Sequence, residues 1–244
     1  MPKFFAPAIQ ISNTGAFIIG DDAKHIARVL RMNVGDTITL CNGEGMDFDC
    51  EISSLSTERV DLSVLGVHAC VTEPSVKITL FMALAKGDKM DYVIQKSVEL
   101  GVFSIVPFLA KRCVAKISAA DSFKKTARWQ KISESAAKQC GRGIIPHVSE
   151  PVSFEQMLTL AKACDRPLFF YEGECDASLK SAIGTKPFKT ASVVIGPEGG
   201  FDPIEVEKAH SGGLISVSLG PRILRCETAP GCAICAIMFE TGNL

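Results

Sequence analysis

The 244-residue chain has no apolar run long enough to cross a bilayer. Its start, Met-Pro-Lys-Phe-Phe-Ala-Pro, lacks the extended apolar core of an export signal. The expectation is a cytoplasmic protein with no membrane contact, whose ten cysteines stay reduced. It has one Cys-x-x-Cys pair, Cys232-Ala-Ile-Cys235, where a four-thiolate zinc site needs two, and His68, His147 and His210 show no ligand spacing. No metal is therefore expected, and scattered cysteines such as Cys41, Cys50 and Cys164 read as small core residues. No charge of one sign dominates: 26 Lys/Arg stand against 27 Asp/Glu, so the chain as a whole carries no polycationic signature. There is no internal repeat and no low-complexity tract. The glycine-rich stretch Gly196-Pro-Glu-Gly-Gly200 is followed by no Lys-Ser/Thr, which excludes a Walker A loop, and it is not GxGxxG.

What is present is a composition rich enough in apolar residues for a folded core, 47% against 22% charged. Up to about residue 72 the pattern is one of short strands. Ala16–Ile19, Asp36–Cys41, Met46–Ile52 and Val60–Gly66 read as strands, with a hairpin signal at Asn42-Gly-Glu-Gly45 and a short helix from Asp21 to Arg31. Regular strand spacing with one short helix suggests a small β-barrel. Thr72-Glu-Pro-Ser75 is polar and contains Pro74, a credible boundary between domains 1–72 and 73–244.

Beyond that boundary, strands alternate with helices, including Lys89–Leu100 closed by Gly101 and a long amphipathic helix ending at Cys140 before Gly141. This alternation argues for an α/β fold with a mostly parallel sheet. The charge that is neutral overall is unevenly spread. Residues 86–142 carry 12 Lys/Arg against 5 Asp/Glu, while 1–85 carry 6 against 10 and 143–244 carry 8 against 12. A basic middle segment suits phosphate contact, although helical Lys and Arg also serve simply to keep a surface soluble.

The chemistry concentrates in two segments, Ser192–Phe201 (SVVIGPEGGF) and Ser218–Ala229 (SLGPRILRCETA). Each is a buried-strand pattern, then a Gly-Pro turn, then helix-forming sequence, and the two are expected at the carboxyl ends of neighbouring strands, where open α/β sheets bind ligands. Glycine lets backbone approach a ligand closely. Ile195, Leu219, Ile223 and Leu224 could line an apolar slot for a ligand. Arg222 and Arg225 call for a negative partner. That partner is an anionic ligand, such as a phosphate, or a salt bridge to Glu227 or Glu198.

Together with "DDAKHIARVLRMNVGD" at 21–36, "KGDKMDYVIQKSVELGV" at 86–102 and "RWQKISESAAKQCGRGIIPHV" at 128–148, these two segments resemble, in order and over nearly the whole chain, the ribosomal small subunit methyltransferase E family of the SPOUT superfamily. The resemblance implies an N-terminal PUA-like β-barrel that binds RNA and a C-terminal SPOUT-type domain with a trefoil knot, a feature periodicity cannot reveal. It implies a homodimer in which the final apolar helix (Ala233, Ile234, Ile237, Met238) supplies part of the interface. It implies methyl transfer from S-adenosyl-L-methionine (AdoMet) to N3 of a uridine in 16S rRNA, with 16S rRNA or the assembled small subunit as partner. The alternatives are a SPOUT methylase of another RNA position, or a non-catalytic RNA-binding ribosome-assembly protein.

On this resemblance the cofactor would be held by Ile195, Gly196, Pro197, Glu198, Gly199 and Gly200 of the first loop. Leu219, Gly220, Ile223, Leu224, Cys226, Thr228 and Ala229 would hold it from the second. Glu198 either faces the sulfonium, caps the next helix or touches a dimer partner. Arg225 and Arg222 would act on the reacting base, with Glu227 or solvent taking the proton. RNA contacts would come from His25, Arg28 and Arg31 in the first domain, and from Lys86, Lys89, Lys96, Arg112, Lys116 and Arg142, with Lys111, in the basic segment. The chain departs from the common family pattern at Cys226, Cys113 and Cys140, and at Pro230-Gly231.

Overall fold

A computed structural model describes residues 1–12, 14–114, 119–173, 175–184 and 186–244. Lys116, expected to touch RNA, lies outside the described residues. The chain divides into two compact units, one formed by Met1–Glu73 with Ala137–Ile145, the other by Pro74–Ala136 with Pro146–Leu244.

The first unit is a five-stranded sheet in the order β1-β3-β4-β5-β2. Its strands are β1 (Lys3–Phe5), β2 (Gly15–Ile19), β3 (Thr37–Cys41), β4 (Met46–Leu55) and β5 (Arg59–Ala69). Strands β3, β4, β5 and β2 pair antiparallel, whereas β1 runs parallel to β3. Alternation sets the face: Ile38 and Leu40 of β3 are fully buried while Thr37 and Thr39 point outward, as period-two pleating requires. Phe4, Ile18, Ile26, Ile52, Val60 and Leu62 complete the core. The hairpin between β3 and β4 closes because the Asn42 side-chain oxygen accepts from the amides of Glu44 (2.8 Å) and Met46 (3.1 Å). The predicted helix from Asp21 is a single α-turn, α1 (Asp21–Lys24), that widens into a π-helical turn over His25–Val29.

The sequence boundary places residues 137–145 with the second domain, but in the structure they complete the first unit. Glu44 bridges Ile144, Lys3 Nζ donates to the Gly141 carbonyl (3.2 Å), and Cys41 Sγ donates to that of Gly143 (3.0 Å). Arg142 is buried, donating through Nε (3.1 Å) and Nη2 (2.6 Å) to the carboxylate of Glu73. That carboxylate also accepts from the amides of Gly143 (2.8 Å) and Ile144 (3.0 Å). Arg142 is therefore not an RNA ligand here: its guanidinium faces inward to a partner.

The second unit carries an all-parallel sheet. Its strands are β6 (Lys77–Ala83), β7 (Ser104–Leu109), β8 (His147–Val148), β9 (Val152–Ser153), β10 (Arg166–Phe170), β11 (Ala177–Ser178), β12 (Thr190–Ile195) and β13 (Ile215–Ser218). They lie in the order β11-β13-β10-β12-β6-β7-β8, with β9 also on β7. The helices are α2 (Lys89–Glu99), α3 (Ala119–Cys140, whose last residues belong to the first unit), α4 (Phe154–Lys162), α5 (Leu179–Ile183), α6 (Pro203–Ser211) and α7 (Ala229–Glu240). The central strands β6 and β12 read as near-continuous apolar runs because both of their faces are covered. None of the described helices is long and apolar enough to cross a membrane.

Two sequence expectations change here. Strands β12 and β13 are not neighbours, because β10 lies between them and pairs with both. The final helix keeps Ala233, Ile234, Ile237 and Met238 for its own unit, where all four are fully buried, with α7 packed on α2, β12 and β6. None of the four is available to a partner. Pro230 sits in the first turn of α7, where its missing N–H is not needed, so the helix forms despite Pro230-Gly231.

Candidate active site

The carboxyl ends of β10, β12 and β13 open onto a cavity of about 560 Å³, well within the size range of small-molecule sites. The loop after β12 is fixed from beneath. Phe201 is buried, its ring 4.3 Å from that of Phe169 and stacked at 6.4 Å on Phe108. A Cβ on Gly196 would come within 2.9 Å of that ring, so glycine is required there by the packing of the loop's own anchor. The Gly200 amide closes the turn on the Pro197 carbonyl (2.9 Å). Asp202 then caps α6 in a capping box with Glu205, whose carboxylate also accepts from the Lys111 amide (2.8 Å). The second loop starts with a hydroxyl turn at Ser218, which accepts from the Gly220 amide (3.1 Å), and ends with Thr228 and Ala229 donating to the Arg225 carbonyl.

Of the predicted cofactor residues, Ile195, Gly196, Pro197, Glu198 and Gly200 line the cavity from the first loop. Leu219, Gly220, Ile223, Leu224, Cys226 and Ala229 line it from the second, though Ile223 is 86% exposed. Gly199 and Thr228 are not on its wall. The space where Gly199 lacks a side chain faces Arg112 instead, whose Cβ would lie 3.4 Å from an added methyl and whose Nη1 donates to the Gly199 carbonyl (3.2 Å).

The electrostatics centre on Lys89. Expected on the RNA face, it forms part of the cavity wall. Its Nζ donates to Glu198 Oε1 (3.0 Å), lies 3.4 Å from Glu227 Oε2, and is 3.9 Å from Cys226 Sγ. The Glu198 hydrogen bond holds the Lys89 ammonium above its ordinary pKa. Burial works against ionised Glu198, but backbone amides, including that of Lys86 at 3.1 Å, and Lys89 outweigh it and keep its carboxyl below the usual range. Glu227 is lowered by its own backbone amide and by the Cys226 thiol, which donates to Oε2 at 3.2 Å. Burial, with that same hydrogen bond, pushes the Cys226 thiol up to about 12, so it stays a neutral donor. Glu198 therefore caps nothing: Asp202 caps α6.

Arg222 and Arg225 both line the cavity and are exposed. Neither forms an ion pair among the described residues, and the two carboxylates the sequence offers them, Glu198 and Glu227, are held by Lys89. The other predicted RNA ligands are distributed widely. Lys86 is exposed, and Lys96 is paired with Glu99 on its own helix (2.9 Å). In the first unit, Arg28, Arg31 and His25 are exposed, with the His25 ring edge-on to Phe4 at 6.2 Å.

Sequence reasoning missed Phe170, Tyr171 and Glu172, at the end of β10, and the cavity-facing Val217, Ser218 and Pro221. The strand itself, β10, is legible as a short apolar run. That it inserts between the two glycine-loop strands is not, because strand order leaves no local pattern.

The chain matches the RNA methyltransferase domain family over residues 72–238 and the RNA methyltransferase PUA domain family over 18–65. It is 38% identical to the ribosomal RNA small subunit methyltransferase E of Bacillus subtilis (strain 168), covering 95% of this chain and 93% of that protein. It is 31% identical to that of Buchnera aphidicola subsp. Acyrthosiphon pisum (strain APS), covering 93% and 89%. Among solved structures it is similar to the ribosomal RNA small subunit methyltransferase E of Neisseria gonorrhoeae bound to S-adenosyl methionine, at a TM-score of 0.82, 31% identity and 98% coverage of both chains.

Proposed function

Because the chain belongs to the ribosomal RNA small subunit methyltransferase E family of RNA methyltransferases, we propose that it methylates rRNA using S-adenosyl-L-methionine, at N3 of a uridine in 16S rRNA. The cavity suits the cofactor in size and in its walls: Ile195, Val217, Leu219 and Leu224 offer apolar surface, and the glycine loops offer exposed backbone. When bound, the cofactor supplies an electrophilic methyl group.

The observation that carries the reading is the pair of arginines on the cavity wall that form no ion pair among the described residues, with Glu198 and Glu227 held by Lys89. Uridine N3 becomes nucleophilic as its proton leaves, and the negative charge then spreads to O2 and O4. Arg225, with Arg222 beside it, donates to those oxygens, and such donors act most strongly where charge develops. Glu227 is ionised but engaged by both Lys89 and Cys226 and lowered in pKa, which makes it a weak proton acceptor. Its role is to hold Lys89, and solvent takes the N3 proton. N3 lies on the pairing edge of the base, so the uridine enters unpaired or turned out of its helix. The protein works as a cytoplasmic homodimer, its partner surface drawn from residues other than the four buried in α7.

The test is incubation of the purified protein with methyl-labelled AdoMet and unmodified 16S rRNA or small subunits, followed by mass spectrometry of the nucleosides. N3-methyluridine is expected. A different methylated nucleoside would move the assignment to another RNA position. AdoMet binding with no methylation of any RNA would make the protein an assembly factor.

A further inference from the structure

Among the described residues three carboxylates line the cavity, and two of them are paired with Lys89. Glu198 and Glu227 share the Lys89 ammonium at 3.0 and 3.4 Å. The third, Glu172, follows β10 and stands on the other side of the β12 loop from Lys89, since β10 and β6 flank β12 in the sheet. Among the described residues it forms no hydrogen bond and no ion pair. Its carboxylate leans over the glycine loop: Oε1 lies 2.5 Å from where a Cβ on Gly200 would stand. Gly200 also has a φ of +67°, a backbone conformation that disfavours a side chain. The Glu172 carboxylate thus lies close over the Gly200 backbone at the cavity wall.

From this geometry we infer that Glu172, and not Glu198, is the acidic anchor of the bound cofactor. This rests on the proposed AdoMet site. Its two oxygens accept hydrogen bonds from polar donors of the ligand. AdoMet presents two sources of such donors, the ribose hydroxyl pair and the α-ammonium of the methionyl part. An anion with no partner among the described residues gains most from accepting such bonds, and bonds to a charged acceptor are among the stronger ones. Glu198 is the weaker candidate, because the Lys89 ammonium 3.0 Å away already balances its charge.

The experiment is calorimetric titration of the full chain, wild type, Glu172→Gln and Glu198→Gln, with AdoMet, S-adenosylhomocysteine and methylthioadenosine. The last keeps the ribose and lacks the amino acid. Glu172 is exposed, so Glu172→Gln should melt like the wild type. Its affinity for AdoMet and S-adenosylhomocysteine should fall by about ten- to a hundredfold, the loss of a hydrogen bond to a charged group. An equal fall for methylthioadenosine identifies the ribose hydroxyls as the donors, and unchanged methylthioadenosine binding identifies the ammonium. Unaltered affinity for all three in Glu172→Gln overturns the inference, as does a loss confined to Glu198→Gln. A wild type that binds none of the three refutes the cofactor reading itself, a result distinct from a variant that binds as well as the wild type.

Discussion

Arg142 offers the sharpest test of the structure against the sequence, because the two assign it opposite surroundings. In the structure its side chain is 4% exposed and its fork meets Glu73 at 2.6 Å. Replacing it with Met leaves the Glu73 carboxylate with the two amides of Gly143 and Ile144 but no countercharge. Removing one member of a buried pair costs about 3–5 kcal/mol. For a unit of this size that corresponds to a fall in melting temperature of about 4–8 °C per kcal/mol.

The loss also carries a pH signature. Burial by itself would raise the Glu73 pKa, but Arg142 and the two amides outweigh it and hold the group below its ordinary value of 4.5. A lowered folded-state pKa means the stabilisation is complete above the unfolded-state value and is lost as pH falls through the folded-state one. The gap between wild type and Arg142→Met should thus be widest near neutrality and narrow below about pH 4. The assay is urea unfolding of the full chain from pH 7 to pH 3, following the transition of the first unit. A variant within about 0.5 kcal/mol of wild type at pH 7, the usual effect of a surface change, would refute the reasoning. So would a gap that does not change with pH. RNA affinity, measured where the variant is folded, should be unaltered.

Arg225→Ala should slow single-turnover methylation by on the order of 10²–10³, about 3–4 kcal/mol in the barrier, with AdoMet affinity within a few fold. Failure caused by lost AdoMet binding would show that the role is misassigned. Gly220 lines the cavity, and a Cβ there would meet nothing within 4 Å, so Gly220→Val should abolish AdoMet binding in a folded protein, aided by backbone strain at φ +104°. Gly199→Ala, whose methyl would rest on Arg112, should bind AdoMet as the wild type does. Replacing Arg28 and Arg31 together should flatten the slope of log affinity for RNA against log salt by about two units, if each meets one phosphate. An unchanged slope would make them a solvated surface.

The legible parts of this protein were those that local chemistry dictates. The turn at Asn42 and the helix end at Gly101, the apolar runs of β6 and β12, and the glycine loops each carry their signal within a few residues. Strands of two or three residues, such as β1, β8, β9 and β11, are too short to establish a period. Arg142 read as one more cation of a basic segment because its partner, Glu73, lies 69 positions away. The place of Lys89 in the cavity wall is hidden for the same reason: two of the groups that hold it, Glu198 and Cys226, lie 109 and 137 positions along the chain. The insertion of β10 between β12 and β13 is a property of crossovers, and it brought Glu172 to a site that the two loop motifs alone do not announce.

The return of residues 137–145 to the first unit also fixes an order of events during synthesis. The strands β1 to β5 leave the ribosome with Glu73 still lacking its arginine and Cys41 still lacking the Gly143 carbonyl. At about 5–20 residues per second, several seconds of elongation separate Glu73 from Arg142. Through that interval the nascent first unit waits with a buried carboxylate exposed, and about two fifths of the second unit must be made before the first is complete. A gene fragment cut at residue 73 would encode that waiting state permanently, so the unit that looks separable along the chain is not separable as a folding unit.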